Sequence, residues 1–252
     1  MTGIAGYTEF EFDLPDALLN HLIKVLDALE PAALHTNAVS EVPEAQGVYQ
    51  LFLDDQLVYI GKTDAEAGLR KRLDRHALKI QHRVGLDPAR VSFRAVRIFV
   101  FTAIDLETQL IQHYAKDGTA WNNRGFGAND PGRRRDRTRI RTVNFDARYP
   151  VDIERPLDVD FSNASTVGEV VIRLKQALPY TFRYETQGRR PATDLMTTPI
   201  SLSPAPMSAR QVLEAATVLL PKGWQATSFL HQLILYPETV DDYPDATVIA
   251  RS

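Results

Sequence analysis

Residues 47–63 read GVYQLFLDDQLVYIGKT. Two apolar runs, 47–53 and 57–61, flank Asp54-Asp55-Gln56, and this pattern predicts two antiparallel strands joined by a tight turn. Each strand pairs a tyrosine with a glycine two positions away: Gly47 with Tyr49, and Tyr59 with Gly61. Nine residues separate the two tyrosines, and Lys62 follows the second glycine directly. Core packing alone gives no reason for a hairpin to repeat that spacing in mirror image.

The surrounding chain supplies helices for this hairpin. Residues 13–30 predict a helix capped by Asp13, with Pro15 in its first turn and Leu18, Leu19, Leu22, Ile23, Leu26 and Leu29 along one apolar face. Residues 31–46 read as a connector. Residues 65–80 predict a basic helix carrying Arg70, Lys71, Arg72, Arg75 and His76. Residues 91–101, VSFRAVRIFVF, alternate and then become wholly apolar, as a central strand does. Residues 103–116 predict a second core helix with Leu106, Leu110 and Ile111 on one face. Helix, hairpin, helix, strand, helix implies an α+β fold with a small mixed sheet of about three strands.

From Trp121 the periodicity stops. The run WNNRGFGANDPGRRRDRTRIR is a loop by composition. Between 122 and 141 it holds seven arginines against two aspartates, a local charge of +5 in a chain whose net charge is −3. A local field of this size, more than the net charge, steers a polyanion. Residues 151–252 predict an α+β extension containing the amphipathic helices VGEVVIRLKQAL and ARQVLEAATVLL and the strands YTFRYE and HQLILY. It reads either as strand–helix–strand twice over, a degenerate repeat broken at 186–199, or as one extension with two unrelated helices. The organisation expected is therefore an N-terminal helix and connector (1–45), a core (46–125), a basic loop (126–150) and the extension (151–252).

Composition sets outer limits. Of the 252 residues 44% are apolar and 24% charged, ordinary values for a globular chain. No apolar run approaches the ~18 residues of a membrane helix. The first residues lack a basic stretch followed by an apolar one, so no secretory leader is expected. There is no cysteine. This excludes disulfides and thiolate-bound zinc, and a cytoplasmic location without membrane attachment is the expectation.

The motif Gly47-Val48-Tyr49 … Tyr59-Ile60-Gly61 resembles the paired signature of the GIY-YIG nucleases, with Val at the middle position of the first tripeptide. Further positions of that family's pattern follow in order: Arg72 and, four residues on, His76 on the helix after the hairpin; Glu107 on the next core helix; and Asn122, or its neighbour Asn123, after it. The resemblance covers roughly residues 46–127. The Gly-Phe-Gly run at 125–127 and the Asn-Asp-Pro-Gly that follows are similar to type II restriction endonucleases of the Eco-29k-I type.

That resemblance implies a GIY-YIG core and an endonuclease that hydrolyses DNA with one Mg²⁺ (or Mn²⁺) per active site. Glu107 would hold the metal. Tyr49 would act as general base, Tyr59 would hydrogen-bond the phosphate or its water network, Arg72 would hold the scissile phosphate, His76 would orient Tyr49 or relay its proton, and Asn122 would brace the site. Gly47 and Gly61 support it. Physical chemistry adds a condition: an ordinary tyrosine pKa near ~10 makes a poor base at neutral pH, so Tyr49 needs a cation beside it, and Lys62 is the obvious candidate by sequence. Arg70 and Lys71 on the basic helix, with Arg124, Arg133, Arg134, Arg135 and Arg137 in the loop, would contact double-stranded DNA. A restriction enzyme also implies a homodimer on a palindromic site and a cognate DNA methyltransferase to protect the host.

Each of these residues has an ordinary reading in isolation. A strand tyrosine is usually packing, a run of arginines on a helix is usually a solvated face, and a first-turn glutamate suits the helix dipole. Their joint presence in the right order favours the catalytic reading. Two alternatives remain distinct: a non-specific or structure-specific nuclease of repair, mobile-element or toxin type on the same core, and a DNA-binding module that has lost catalysis.

Overall fold

The computed structural model describes residues 6, 14–64, 66–99, 106–116, 118–127, 136–238 and 243–252. It is α+β, and it divides into two compact units: Met1–Asp74 with Ala89–Asn122, and Arg75–Pro88 with Asn123–Ser252.

The first unit contains α1 (Leu14–Ala28), β1 (Ala32–Ala33), α2 (Thr36–Ser40), β2 (Gly47–Leu53), β3 (Gln56–Thr63), the start of α3 (Leu69–Lys79), β4 (Val91–Arg97) and α4 (Leu106–Tyr114). Its sheet has the order β1-β4-β2-β3. Every pairing is antiparallel, so the mixed three-stranded sheet expected from sequence is replaced by a four-stranded antiparallel one. The added strand is two residues long and comes from the segment read as connector. The central strand is β2, between β3 and β4, and all but its last residue is buried. β4 stops at Arg97 because Arg97 pairs with Gly47, the first residue of β2, and Phe99 beyond it is exposed.

Leu22, Ile23 and Leu26 of α1 and Leu106 and Leu110 of α4 pack with Val48 and Ile60 of the hairpin. The Tyr114 hydroxyl donates to Asp27 at 2.7 Å and ties α4 to α1. The proposed cap Asp13 lies outside the described residues, as does the start expected for the second core helix at Ala103. The basic helix begins at Leu69, four residues later than its composition predicts. Asp64 accepts from the Ala67 N–H in a local turn, and Gly68 takes φ +63°, so the chain reverses before the helix starts.

The second unit contains the rest of α3, then α5 (Phe145–Arg148), α6 (Val167–Ala177), β5 (Thr181–Tyr184), β6 (Thr186–Gln187), β7 (Arg190–Pro191), α7 (Thr193–Thr197), α8 (Ala209–Thr217), β8 (Gln225–Phe229), β9 (Gln232–Tyr236) and β10 (Ala246–Arg251). Its main sheet, β10-β8-β9-β5, is the mixed one, with β5 parallel to β9. Both amphipathic helices and both strands read from sequence are present, and one core joins them. Thr166 caps α6, and Ser208 with Gln211 forms a capping box on α8.

The strand that the strand–helix–strand reading requires before α6 is not formed; an isolated bridge, Pro156 to Ser208, lies in that segment. Residues 186–199 are not a break. They form a small hairpin and α7, whose Leu195 is fully buried in the common core. Among the described residues no helix is long and apolar enough to cross a membrane.

Candidate active site

The hairpin turn is Asp54-Asp55, with φ of +49° and +62°, the pair of left-handed residues that a two-residue turn of matching twist requires. Gln56 belongs to β3. Arg90 grips the Asp54 carboxylate with both Nε and Nη2 and fixes the tip. From this turn the register runs Leu53 to Gln56 and Phe52 to Leu57, then shifts, so that Leu51 pairs with Tyr59 and Tyr49 with Gly61. Val58 is the extra residue of a β-bulge. Without it Tyr49 would oppose Ile60, and Tyr59 would project from the opposite face, because one residue of slip inverts every side chain of a strand.

With the bulge, the two tyrosines share a face as diagonal neighbours. Their ring centroids are 6.0 Å apart with an interplanar angle of 32°. The glycines have steric work. A Cβ on Gly61 would lie 2.5 Å from Cζ of Tyr49, and one on Gly47 would lie 2.7 Å from Cδ1 of Leu69 and collide with the Val96 carbonyl. The repeated Gly/Tyr spacing is thus what lets the Tyr49 ring lie across the opposing strand.

Tyr49 is fully buried. Burial is the main force pushing its pKa upward, joined by Tyr59, through charge and a hydrogen bond, and by the Glu107 carboxylate; the Arg72 guanidinium pulls the other way. One electrostatic neighbourhood therefore holds Tyr49, Tyr59, Arg72 and Glu107. Lys62 does not share the face of Tyr49. It pairs with Val48, one position out of phase with Tyr49, so strand alternation sends its side chain to the other face, where it is exposed. Arg72 is a cation whose charge acts on Tyr49. It is half-buried, and its Nε has no hydrogen-bond partner among the described residues. A buried guanidinium N–H without an acceptor suits an incoming oxyanion.

Glu107 lies in the first turn of α4 and is half-buried. Among the described residues no group of three His, Asp or Glu side chains comes together. A single carboxylate near an arginine suits Mg²⁺, which takes one or two protein carboxylates and completes its shell with water and other oxygens.

The structure distinguishes Asn122 from Asn123. The Asn122 Nδ2 donates to the Ile60 carbonyl at 2.8 Å, and its Oδ1 accepts from the Ile60 N–H at 2.9 Å. The side chain thus copies a strand residue along the outer edge of β3. Thr119 holds it in place by donating from Oγ1 to Oδ1 and accepting from the Asn122 N–H at 3.0 Å. Trp121 N–H donates to the carbonyl of the bulge residue Val58 at 2.9 Å. Asn123 is exposed, at φ +57°. Thr119 and Trp121 carried no signal in the sequence that would separate them from loop residues.

His76 falls in the second unit. It is buried, and its ring stacks on Phe126 at 4.7 Å and 17°. Phe126 is buried as well and meets Phe145 edge-on at 4.8 Å. The Asn144 amide fills the space where Gly125 lacks a side chain. Gly125 and Phe126 are therefore packed against neighbouring side chains. Lys79 donates to the Gly125 carbonyl at 2.9 Å, and Arg75 to that of Gly127 at 3.4 Å.

The expected DNA contacts divide similarly. Arg70 donates to the Val42 carbonyl at 2.7 Å, and both it and Lys71 approach Glu44. Arg124 is half-buried, and its carbonyl accepts from the Phe145 N–H. Arg137 is exposed, as are Arg139 and Arg141. Asp136, between these and the preceding arginines, is buried and accepts from Gln232, while Asp245 of the acidic tail accepts from the Ile140 N–H at 2.8 Å. Arg133, Arg134 and Arg135 lie outside the described residues.

No protein-family model matches the chain, and no curated protein matches it significantly.

Proposed function

We propose that this chain is a Mg²⁺-dependent endonuclease that hydrolyses DNA phosphodiester bonds on a GIY-YIG-type core, a type II restriction enzyme acting as a dimer on a palindromic site. The observation that carries the reading is the gathering of Tyr49, Tyr59, Arg72 and Glu107 into one neighbourhood, with an Arg72 N–H that finds no acceptor among the described residues.

Each residue has a part consistent with its surroundings. Arg72 donates to a non-bridging oxygen of the scissile phosphate and stabilises the charge that develops there. Glu107 would hold Mg²⁺, which when bound neutralises phosphate charge and lowers the pKa of water. Tyr49 is protonated at rest and does not start as a phenolate. Its hydrogen bond to Tyr59 offers a relay: as Tyr49 takes a proton from the attacking water it passes its own to the Tyr59 oxygen, and Tyr59 releases one outward. Asn122 keeps β3 in register behind Tyr59. His76 supports the helix that carries Arg72 by stacking on Phe126.

Incubating the purified protein with phage DNA and Mg²⁺ tests the reading. Discrete fragments are expected. A smear indicates the non-specific or structure-specific alternative. DNA binding without hydrolysis under any divalent ion indicates a non-catalytic binding module and overturns the enzyme.

A further inference from the structure

The second unit contains a cavity of about 350 Å³ that the nuclease reading does not use. It is of the size of small-ligand pockets, which run from ~300 to 1,000 Å³. Arg75, Lys79 and Arg83 line it from the end of α3 and just beyond, but the charged heads of all three are held by the protein. Lys79 donates to the Gly125 carbonyl and lies over the rings of Phe126 and Phe145, at 5.8 and 5.6 Å. Arg75 donates to the Gly127 carbonyl. Arg83 is bound to Asp146, the acidic residue of the wall, and to the Lys79 and Tyr149 carbonyls. Heads fixed in this way leave the aliphatic stems to face the cavity. His231, also on the wall, has interactions of its own.

Tyr180 is the exception. It lines the same cavity and is more than nine-tenths buried, yet its hydroxyl has no hydrogen-bond partner among the described residues. Such a group costs stability unless something satisfies it. Burial first, and then the Asp152 charge, raise its pKa against a smaller pull from Arg83, so the hydroxyl keeps its proton and can donate it. Leu78, Leu178 and Pro179 add to a wall that is mostly apolar. The cavity thus offers apolar surface, cations already engaged and a buried donor. An anion would have to compete with the contacts those cations make. A neutral molecule disturbs none of them, and an acceptor oxygen on it would satisfy Tyr180.

We infer that this cavity binds a small neutral aromatic carbonyl compound, its ring against the apolar wall and its carbonyl oxygen accepting from the Tyr180 hydroxyl. A flat ring suits a wall that includes Pro179 and the Tyr180 ring, both rigid surfaces. The inference goes beyond the nuclease reading and stands independently of it, because none of the lining residues belongs to the Tyr49 neighbourhood.

The test is an NMR titration of the isotope-labelled full chain with 2-naphthamide and with 2-naphthoate, which has the same shape and a negative charge. The proteins are wild type, Tyr180→Phe and Leu78→Gln, each checked for folding by circular dichroism. With 2-naphthamide, saturable shifts of the amides at 178–181 are expected in wild type, and 2-naphthoate should bind more weakly. Tyr180→Phe keeps the ring and removes one neutral hydrogen bond, so it should weaken 2-naphthamide roughly three- to tenfold. Leu78 is 53% exposed, so Leu78→Gln probes the apolar wall at little risk to folding. It should weaken binding about threefold or more, and it decides the matter if Tyr180→Phe misfolds. Three results would each overturn the inference: no saturable shift at 178–181, equal 2-naphthamide affinity in wild type and the deciding variant, or 2-naphthoate binding as tightly as 2-naphthamide or tighter.

Discussion

Gly61 stands directly opposite Tyr49 in the β2–β3 ladder, and the Tyr49 ring occupies the space that a side chain at position 61 would need. Gly61→Ala therefore forces a buried ring to move. Overpacking of this kind costs about 1–3 kcal/mol, and cleavage should fall with it because the Tyr49 hydroxyl shifts. Denaturant unfolding of Gly61→Ala in wild-type and Tyr49→Leu backgrounds measures the relationship. The penalty should shrink when the ring is removed, and an equal penalty in both backgrounds would show that the two residues do not meet.

Tyr49→Phe should lower the cleavage rate by ~10²–10⁴-fold if the Tyr49–Tyr59 pair relays the proton. The same variant has a pH signature. Tyr49's pKa is raised in the folded chain above its ordinary value of ~10. Below pH ~10 it is protonated in both states and adds no pH dependence. As pH rises further the unfolded chain loses this proton while the folded chain keeps it, so stability declines. Unfolding midpoints between pH 8 and 11 should fall less steeply in Tyr49→Phe than in wild type; parallel curves would mean that Tyr49 ionises normally.

Asn122 pairs with both backbone groups of Ile60, and its loss leaves them buried and unmatched. Asn122→Ala should cost roughly 2–6 kcal/mol, from about 1–3 for each of the two unsatisfied groups. Asn122→Asp should fail as well, because a carboxylate cannot donate to the Ile60 carbonyl. Thermal unfolding checks both. An activity loss with unchanged stability would instead place Asn122 on the substrate.

The Arg83–Asp146 pair is the most buried ion pair among those described, and Arg83 Nη1 also donates to the Tyr149 carbonyl at 2.9 Å. Asp146→Ala strands a buried guanidinium and should destabilise the second unit by about 3–5 kcal/mol. Arg83→Met with Asp146→Ala should recover much of that loss. Equal unfolding midpoints for wild type and Asp146→Ala would contradict the pair's structural role.

The α+β class, the hairpin and the two C-terminal amphipathic helices were legible because each is encoded by local periodicity and turn chemistry. The turn at Asp54-Asp55 and the apolar faces of α1, α6 and α8 are of this kind. The Val58 bulge was not legible. It decides whether Tyr49 and Tyr59 share a face, yet it depends on Trp121 reaching its carbonyl from 63 positions away. Strand alternation would have excluded Lys62 from the Tyr49 face only once that register was known. The Gly-Phe-Gly run misled for a related reason. Its composition resembles an open loop, whereas the partners that bury it, His76 and Phe145, are distant in sequence. Arg83 and Asp146 gave no signal for the same reason.

The most direct test of the nuclease reading is cleavage of DNA by Glu107→Gln beside wild type, with Mg²⁺ present and DNA binding measured in parallel. The substitution keeps size and removes a carboxylate that acts on Tyr49. Wild type should yield discrete fragments, and Glu107→Gln none, while its DNA affinity is retained or tighter because a negative charge facing phosphate is gone. Mg²⁺-dependent cutting by Glu107→Gln within about tenfold of wild type, a barrier change of under ~1.4 kcal/mol, would contradict the assignment of Glu107 as the metal's ligand and with it the proposed site.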